Sequence, residues 1–243
     1  MIMKDRISEF YKGEFGTSAM KKQKKRIDWI LKNIQGSHVL DIGCSQGIIP
    51  ILIGRAGRKV VGIDISEEAI LYGKKDLSSE NETTRNMVTL IKQDFLRWNT
   101  KSRFDTIIIT EVLEHYQKSN EILEKAYSHL NGDGKVIITV PFGINPHPDH
   151  KRTVYLSEIY EELYPFFFIK EVKFIENWIG FTGYKKKNIQ KNIADIYVPI
   201  EVIKEAEKGF YQMEQRHLKI KRNLNKELVK LKEQEEHGSE RKE

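Results

Sequence analysis

The sequence predicts an α/β fold: a doubly wound, mostly parallel sheet with a C-terminal β-hairpin, followed by a long C-terminal helix. Three observations carry this. Five short apolar runs at 38–42, 59–63, 88–92, 106–110 and 135–140 alternate with helical patterns at 48–56, 67–77 and 120–130. Alternation of that kind builds βαβ units, with helices on both faces of a parallel sheet. Two later runs, 166–174 and 178–184, lie close together and read as paired strands. From Pro199 onward the apolar residues step by three and four, the spacing of one long helix.

Three segments follow along the chain. Residues 1–35 form an N-terminal helical cap. Ile27, Ile30, Leu31 and Ile34 recur at i, i+3, i+4 and i+7, which gives one apolar stripe. Lys21, Lys22, Lys24, Lys25 and Arg26 back it as a solvated basic face, with phosphate contact the less favoured use. Residues 36–187 hold the alternating strands and helices. Residues 188–243 form the C-terminal helix, where Ile203, Ala206, Phe210, Met213, His217, Ile220, Leu224, Leu228 and Leu231 make a heptad-like seam with one slip. The seam predicts a coiled coil joining copies of the chain. Its alternative is a helix folded back on its own domain, because Phe210 and His217 break the aliphatic pattern.

Composition narrows the class. The chain has 243 residues and 41 Lys+Arg against 35 Asp+Glu, a net charge of +6 that favours an anionic partner without naming one. Cys44 is the only cysteine, so no internal disulfide forms and a reducing compartment fits. The N-terminus lacks the apolar core of a leader, and no apolar run reaches membrane-spanning length. The expectation is a cytoplasmic protein without a membrane span.

The densest signal follows the first strand: Asp41-Ile-Gly43-Cys44-Ser45-Gln-Gly47. Glycines there let the chain turn tightly and bring backbone N–H groups to a ligand at a helix N-terminus. Ser45 and Ile48 stand where a dinucleotide fingerprint needs glycines, which disfavours a pyrophosphate cradle. Asp64 ends the second strand, placed to accept from ribose hydroxyls, and Asp94 follows the third. Each has a plainer use, Asp64 as a helix N-terminal acid and Asp94 as a turn residue. Cys44 fits a small buried hydrophobe better than a nucleophile.

In order and spacing these segments resemble the motifs of class I S-adenosylmethionine-dependent methyltransferases, over residues 36–184. The resemblance implies a Rossmann-like methyltransferase sheet and S-adenosylmethionine as cofactor. It implies that Asp41, Gly43 and Gly47 carry the cofactor's amino acid part, Asp64 the ribose and Asp94 the adenine, with Cys44, Ser45, Ile65, Phe95 and Thr110 as further cofactor-binding candidates. The middle glycine of that family's loop is Ser45 here.

After the fourth strand the chain reads Glu111-Val-Leu-Glu114-His115. Positions i, i+3 and i+4 share one face if a helix starts there. Two carboxylates and an imidazole on that face suit Mg²⁺ or Mn²⁺. The pattern resembles the metal motif of small-RNA 3′-end 2′-O-methyltransferases, ubiquinone-type and sugar O-methyltransferases. That resemblance implies His150 as a further ligand from the loop after the fifth strand, with His147 in reserve. Glu111, His115 and His150 are thus the candidate catalytic residues, and Glu111, Glu114, His115 and His150 the candidate metal ligands. In the plainer alternative the segment only shapes the cofactor pocket, with Leu113 in the core, and His150 or His115 acts as general base.

The expected activity is O-methyl transfer to a hydroxyl of a sugar or polysaccharide terminus. RNA 3′-end ribose 2′-O-methylation and methylation of a small phenol or quinone precursor are the alternatives. Nucleic acid is the less favoured partner, because the basic residues are spread over both termini. Tyr155, Trp178 and Phe181 are candidate acceptor walls, while Phe166, Phe167 and Phe168 are expected in the core.

Overall fold

The structure is a computed structural model that describes residues 6–143, 145, 147–189 and 199–239, with side chains as far as residue 230. The strands are His38–Ile42 (β1), Lys59–Asp64 (β2), Val88–Lys92 (β3), Phe104–Thr110 (β4), Leu130–Pro141 (β5), Phe167–Ile175 (β6) and Trp178–Lys185 (β7). They form one sheet in the order β3-β2-β1-β4-β5-β7-β6. Neighbours from β3 to β5 are parallel, and β7 enters antiparallel between β5 and β6. The strand order reverses between β1 and β4, so the carboxyl ends of these two strands flank the crevice where such sheets bind ligands.

The helices are Ile7–Lys12 (α1), Thr17–Asn33 (α2), Ile48–Arg55 (α3), Glu67–Ser78 (α4), Glu82–Met87 (α5), Asn120–His129 (α6), Leu156–Leu163 (α7) and Ile200–Ser239 (α8). Local chemistry starts two of them: the Ser66 hydroxyl accepts from Ala69 N–H and the Asn81 side chain from Thr84 N–H. Three helices are additional to those expected: α1 and α5, of six residues each, span too few turns to print a stripe, whereas α7 carries one at Leu156, Ile159, Tyr160 and Leu163.

The core lies on both faces of the sheet, and β4 feeds both: Ile107 and Ile109 join one cluster, Ile108 the other. Ile27 and Ile30 of α2 are fully buried in the same cluster as Ile108 and Ile137. Helix α2 is therefore packed into one face of the sheet. Two aromatic expectations are corrected. Phe168 is 62% exposed, because strand alternation turns Phe167 inward and Phe168 out. Phe181 is wholly buried among core side chains, so it offers no wall to a ligand.

Asp105 ties the start of β1 to β4. Its carboxylate accepts from the N–H groups of Ser37 and His38 at 2.9 and 3.0 Å and from the Asn131 amide at 2.7 Å. Burial alone would raise its pKa, but the bonds donated into it hold it below the ordinary value. That stabilisation is present above the ordinary carboxylate pKa and is lost as pH falls through the depressed one. Gly36 has φ +68°, and a Cβ there would lie 2.3 Å from Asp105 Cβ. Gly36→Ala is expected to destabilise the fold by about 2–3 kcal/mol, read from urea melts.

Helix α8 divides the expected seam in two. Its first half packs on the domain: Val202 is buried in the core cluster, and Gly209 presses on Phe174 with no room for a Cβ. The Glu205 carboxylate accepts from Phe174 N–H at 3.1 Å, and Arg216 donates to the Asn177 side chain at 2.7 Å. Here the folded-back alternative describes the chain. Beyond His217 the seam leaves the domain, with Ile220, Leu224 and Leu228 each about half exposed. Residues 190–198 and the side chain of Leu231 lie outside the described residues. No helix among the described residues is long and apolar enough to cross a membrane.

Candidate active site

The loop after β1 is set by backbone conformation. Gly43 and Gly47 have φ +72° and +74°, and Ser45 takes +48°, the left-handed conformation that a glycine would adopt without strain. At Gly43 a Cβ would lie 2.3 Å from Val112 Cγ2. The Asp64 carboxylate holds the loop in place, accepting from Ser45 N–H and Ser66 N–H, each at 2.8 Å. Helix α1 seats on the same loop, where Ser8 N–H donates to the Gln46 side chain at 3.0 Å.

Other residues named from the sequence fall around this loop in different ways. Ile65 is 70% exposed beside it. Thr110 is buried at the end of β4. Asp94 caps a short 3-10 turn through Leu96 N–H. Phe95 is buried in the core, with the Lys125 ammonium over its ring. Cys44 also points into the core, where its sulfur packs under Gly62 of β2.

Asp41 is wholly buried, and neither carboxylate oxygen has a hydrogen-bond partner among the described residues. Burial, with the charge of Asp64, pushes its pKa well up, while Arg26 pulls against them. Arg26 is the residue sequence reasoning missed. It is 1% exposed, and its guanidinium lies 4.6 Å from the centre of the Trp178 ring. It pairs with Glu111 at 3.1 Å, and its Nε has no partner among the described residues. The signal was present: Gln23, Arg26, Ile27 and Ile30, all buried, stand at i, i+3, i+4 and i+7.

The expected helix at Glu111 does not form. Glu111 takes φ +56°, because its N–H still pairs with Thr139 of β5 while the chain turns away, and Leu113–His115 is a single 3-10 turn. The Glu111 carboxylate therefore faces Arg26 and accepts from the Trp178 indole N–H at 2.7 Å. Glu114 and His115 instead converge with His150, with one donor atom from each within 4.8 Å of the others. Glu111 lies outside that group.

Loop residues bring His150 to the group. Lys151 N–H donates to the Glu114 carbonyl at 2.9 Å, and Arg152 pairs with Glu158 and Glu162 of α7. His115 donates Nδ1–H to the Asp149 carbonyl at 3.0 Å, which leaves its Nε2 lone pair for a ligand. His147 packs near both other rings, but it is not one of the converging donors. Glu114 is fully buried, and neither oxygen has a hydrogen-bond partner among the described residues. His150 Nε2 stands 4.0 Å from Glu114 Oε1. Burial, then the neighbouring Glu111 charge, pushes the Glu114 pKa well above its ordinary value. A buried carboxyl without a hydrogen-bond partner among the described residues, beside two imidazoles, is an arrangement that a divalent cation would satisfy by ionising it, and one carboxylate with two imidazoles suits Mn²⁺ better than Mg²⁺.

The fold agrees with what is known of other proteins. A profile described as a methyltransferase domain matches residues 16–182. The chain belongs to this methyltransferase family. Ubiquinone biosynthesis O-methyltransferase of Actinobacillus pleuropneumoniae serotype 5b (strain L20) is 31% identical over 115 residues, 45% of this chain and 49% of that protein. The mitochondrial enzyme of the same description from Bos taurus is 27% identical over 110 residues, 44% of this chain and 30% of that protein. The methyltransferase chain thus spans about half the length, or less, of these curated relatives.

Among solved structures, N-methyltransferase NodS from Bradyrhizobium japonicum WM9, in complex with S-adenosyl-L-homocysteine, superposes with a TM-score of 0.58 at 13% identity, covering 75% of this chain and all (100%) of that one. Magnesium protoporphyrin IX methyltransferase from Synechocystis PCC 6803 with bound S-adenosylmethionine gives 0.54 at 20% identity, covering 68% and 80%. These likenesses establish the class I S-adenosylmethionine-dependent methyltransferase fold. The methyltransferase residues fit that cofactor on their own chemistry: the bare Asp41 carboxylate suits an ammonium group, the open Nε of Arg26 a carboxylate, and the Gly43 turn a close backbone approach.

Proposed function

We propose that the chain is an S-adenosylmethionine-dependent O-methyltransferase that acts, with a divalent cation, on a hydroxyl of a sugar or polysaccharide terminus. The observation that supports it most is the Glu114 carboxylate, buried and bare beside His115 and His150. These three residues would hold the cation, with Glu111 extending the acidic wall. Such a cation, when bound, lowers the pKa of a hydroxyl and orients it.

The chain's own residues supply the rest. Asp41 would accept from the ammonium of the cofactor's amino acid part, and Arg26 would pair with its carboxylate. Asp64 and Asp94 would take the ribose and adenine ends, and the loop from Phe142 to Tyr155 would cover the acceptor. Methyl transfer needs the acceptor oxygen in line with the sulfonium, so positioning carries much of the rate. Without a cation the same imidazoles supply the base. Burial, reinforced by His115 and His147, holds His150 below its ordinary pKa, so it is neutral near pH 7 and able to take the hydroxyl proton.

A second reading, a small phenol or quinone precursor as acceptor, is favoured by the names of the curated relatives. A methyl-transfer screen with labelled cofactor separates the two, using neutral and acidic oligosaccharides, catechols and short RNAs, with Mn²⁺ or with EDTA. Metal-dependent label on a sugar hydroxyl is the expected result. Label on catechols alone would install the second reading, and full turnover in EDTA would remove the cation.

The distal half of α8 is proposed to pair with a second copy of the chain through Ile220, Leu224 and Leu228. Leu224→Ser with Leu228→Ser is expected to lower the mass seen by light scattering and to leave cofactor affinity unchanged. An unchanged mass would reject the pairing.

A further inference from the structure

A cleft of about 700 Å³ opens where α2, the turn between β6 and β7, and the first half of α8 meet. Its rim carries Lys22, Lys25, Lys173, Arg216 and Lys219 against a single acid, Glu176. Glu176 is matched by Lys25 at 2.5 Å, and Arg216 donates to the neutral Asn177. Lys22, Lys173 and Lys219 have no ion-pair partner among the described residues. The cleft is thus strongly positive, and its counter-charge is not within it. Trp29 and the exposed Tyr211 add aromatic surface to the lining, while Phe142 and Phe174 are buried in the core behind it.

The cleft shares its walls with the candidate active site. Lys25 lines the cleft, and its neighbour Arg26 faces Glu111. Asn177 lines the cleft, and its neighbour Trp178 donates to the Glu111 carboxylate. Phe142, which opens the loop leading to His150, donates its N–H to the Asn177 carbonyl at 3.0 Å. Consecutive residues lie only about 3.8 Å apart, so a ligand in the cleft would sit against the backbone that carries the site.

We infer that this cleft binds the phosphate of a phosphate-bearing sugar, so that the acceptor is a sugar phosphate or a sugar linked through a diphosphate. The inference rests on the sugar O-methyltransferase reading and names its substrate class. Unmatched ammonium groups and a guanidinium supply charge-assisted hydrogen bonds to phosphate oxygens, and aromatic faces pack against the apolar faces of a sugar ring. The volume is that of a small-ligand site. Single-stranded nucleic acid instead needs a basic track several nucleotides long with successive stacking platforms, whereas this cleft is confined to one three-element junction.

The test reads binding, not turnover. The full chain saturated with S-adenosylhomocysteine is titrated calorimetrically with glucose, glucose 1-phosphate, uridine diphosphate glucose and inorganic phosphate. Separate arms carry a short RNA and phosphatidylglycerol vesicles. The phosphorylated sugars are expected to bind at least about tenfold tighter than glucose or inorganic phosphate, and to weaken as salt rises. Lys173→Glu with Lys219→Glu, both on the rim, should lose that gain while S-adenosylhomocysteine affinity and the melting temperature hold. Equal affinity for glucose and its phosphates, or a charge-reversed variant that binds like the parent, would overturn the inference. Tighter binding of RNA or vesicles than of any sugar phosphate would do the same. Sugar-phosphate binding without methyl transfer to any sugar would instead fault the catalytic reading and leave the cleft assigned.

Discussion

Glu114→Gln is expected to reduce methyl transfer by roughly a hundredfold or more while S-adenosylhomocysteine binds as before. The same variant is expected to be as stable as the parent, or more so, in chelator-treated protein. Glu114 has no exposure, and neither oxygen has a hydrogen-bond partner among the described residues. An unsatisfied buried polar group costs about 1–3 kcal/mol, and a charged one more. With its pKa pushed well up, Glu114 is neutral without a cation, and the amide has nearly the same shape, so turnover lost at unchanged stability marks a group held for function. His150→Ala should lose turnover in parallel. Urea melts in EDTA, run beside single-turnover kinetics with Mn²⁺, check both halves. A variant that keeps its activity, or that loses stability and activity together, would mean the carboxylate serves the fold.

Arg26→Ala is expected to have the second large effect, on the cofactor. The guanidinium is buried, pairs with Glu111 and opposes the rise that burial and Asp64 impose on the Asp41 pKa. Glu111 is 30% exposed and keeps the Trp178 N–H, so the loss of stability is expected at about 1–3 kcal/mol, below that for a fully buried pair. S-adenosylhomocysteine affinity should fall at least about tenfold, since the same cation would face the cofactor carboxylate. Arg26→Lys keeps the charge but loses the planar fork and the stacking on Trp178, so it should restore stability better than affinity. Calorimetric titration with chemical melts separates the two readouts. Parent-like affinity in Arg26→Ala would place the cofactor carboxylate elsewhere.

Much of this was legible in the sequence, and what was not has a physical reason. The parallel strands print as short apolar runs, most plainly β4, which is buried on both faces from Thr106 to Thr110. The loop Asp41–Gly47 and Asp64 are legible because backbone turns and strand ends demand particular residue types. His150 was found through its likeness to a known motif, and the structure brings its ring to His115 and Glu114. Glu111 was misread because helical spacing assumes a helix, and a left-handed residue at the strand end breaks that assumption. Arg26 was hidden by its company in a basic run, where charge composition outweighed its place on the buried arc. The α8 seam misled in part, since a heptad pattern cannot tell a domain surface from a second helix.

Arg26 also bears on how the molecule comes together. Its contacts lie far along the chain: Glu111, Thr139, which is 113 residues on, and Trp178. During synthesis the N-terminal helix emerges long before strands β5 and β7, and its guanidinium must stay hydrated until they arrive. Burying it is a late, long-range event, slowed by the loop that has to close first. A nascent chain could assemble β1 to β4 and their helices without it. Burial of Arg26 is thus expected only once β7 has joined the sheet, so one buried cation ties an early helix to a late strand.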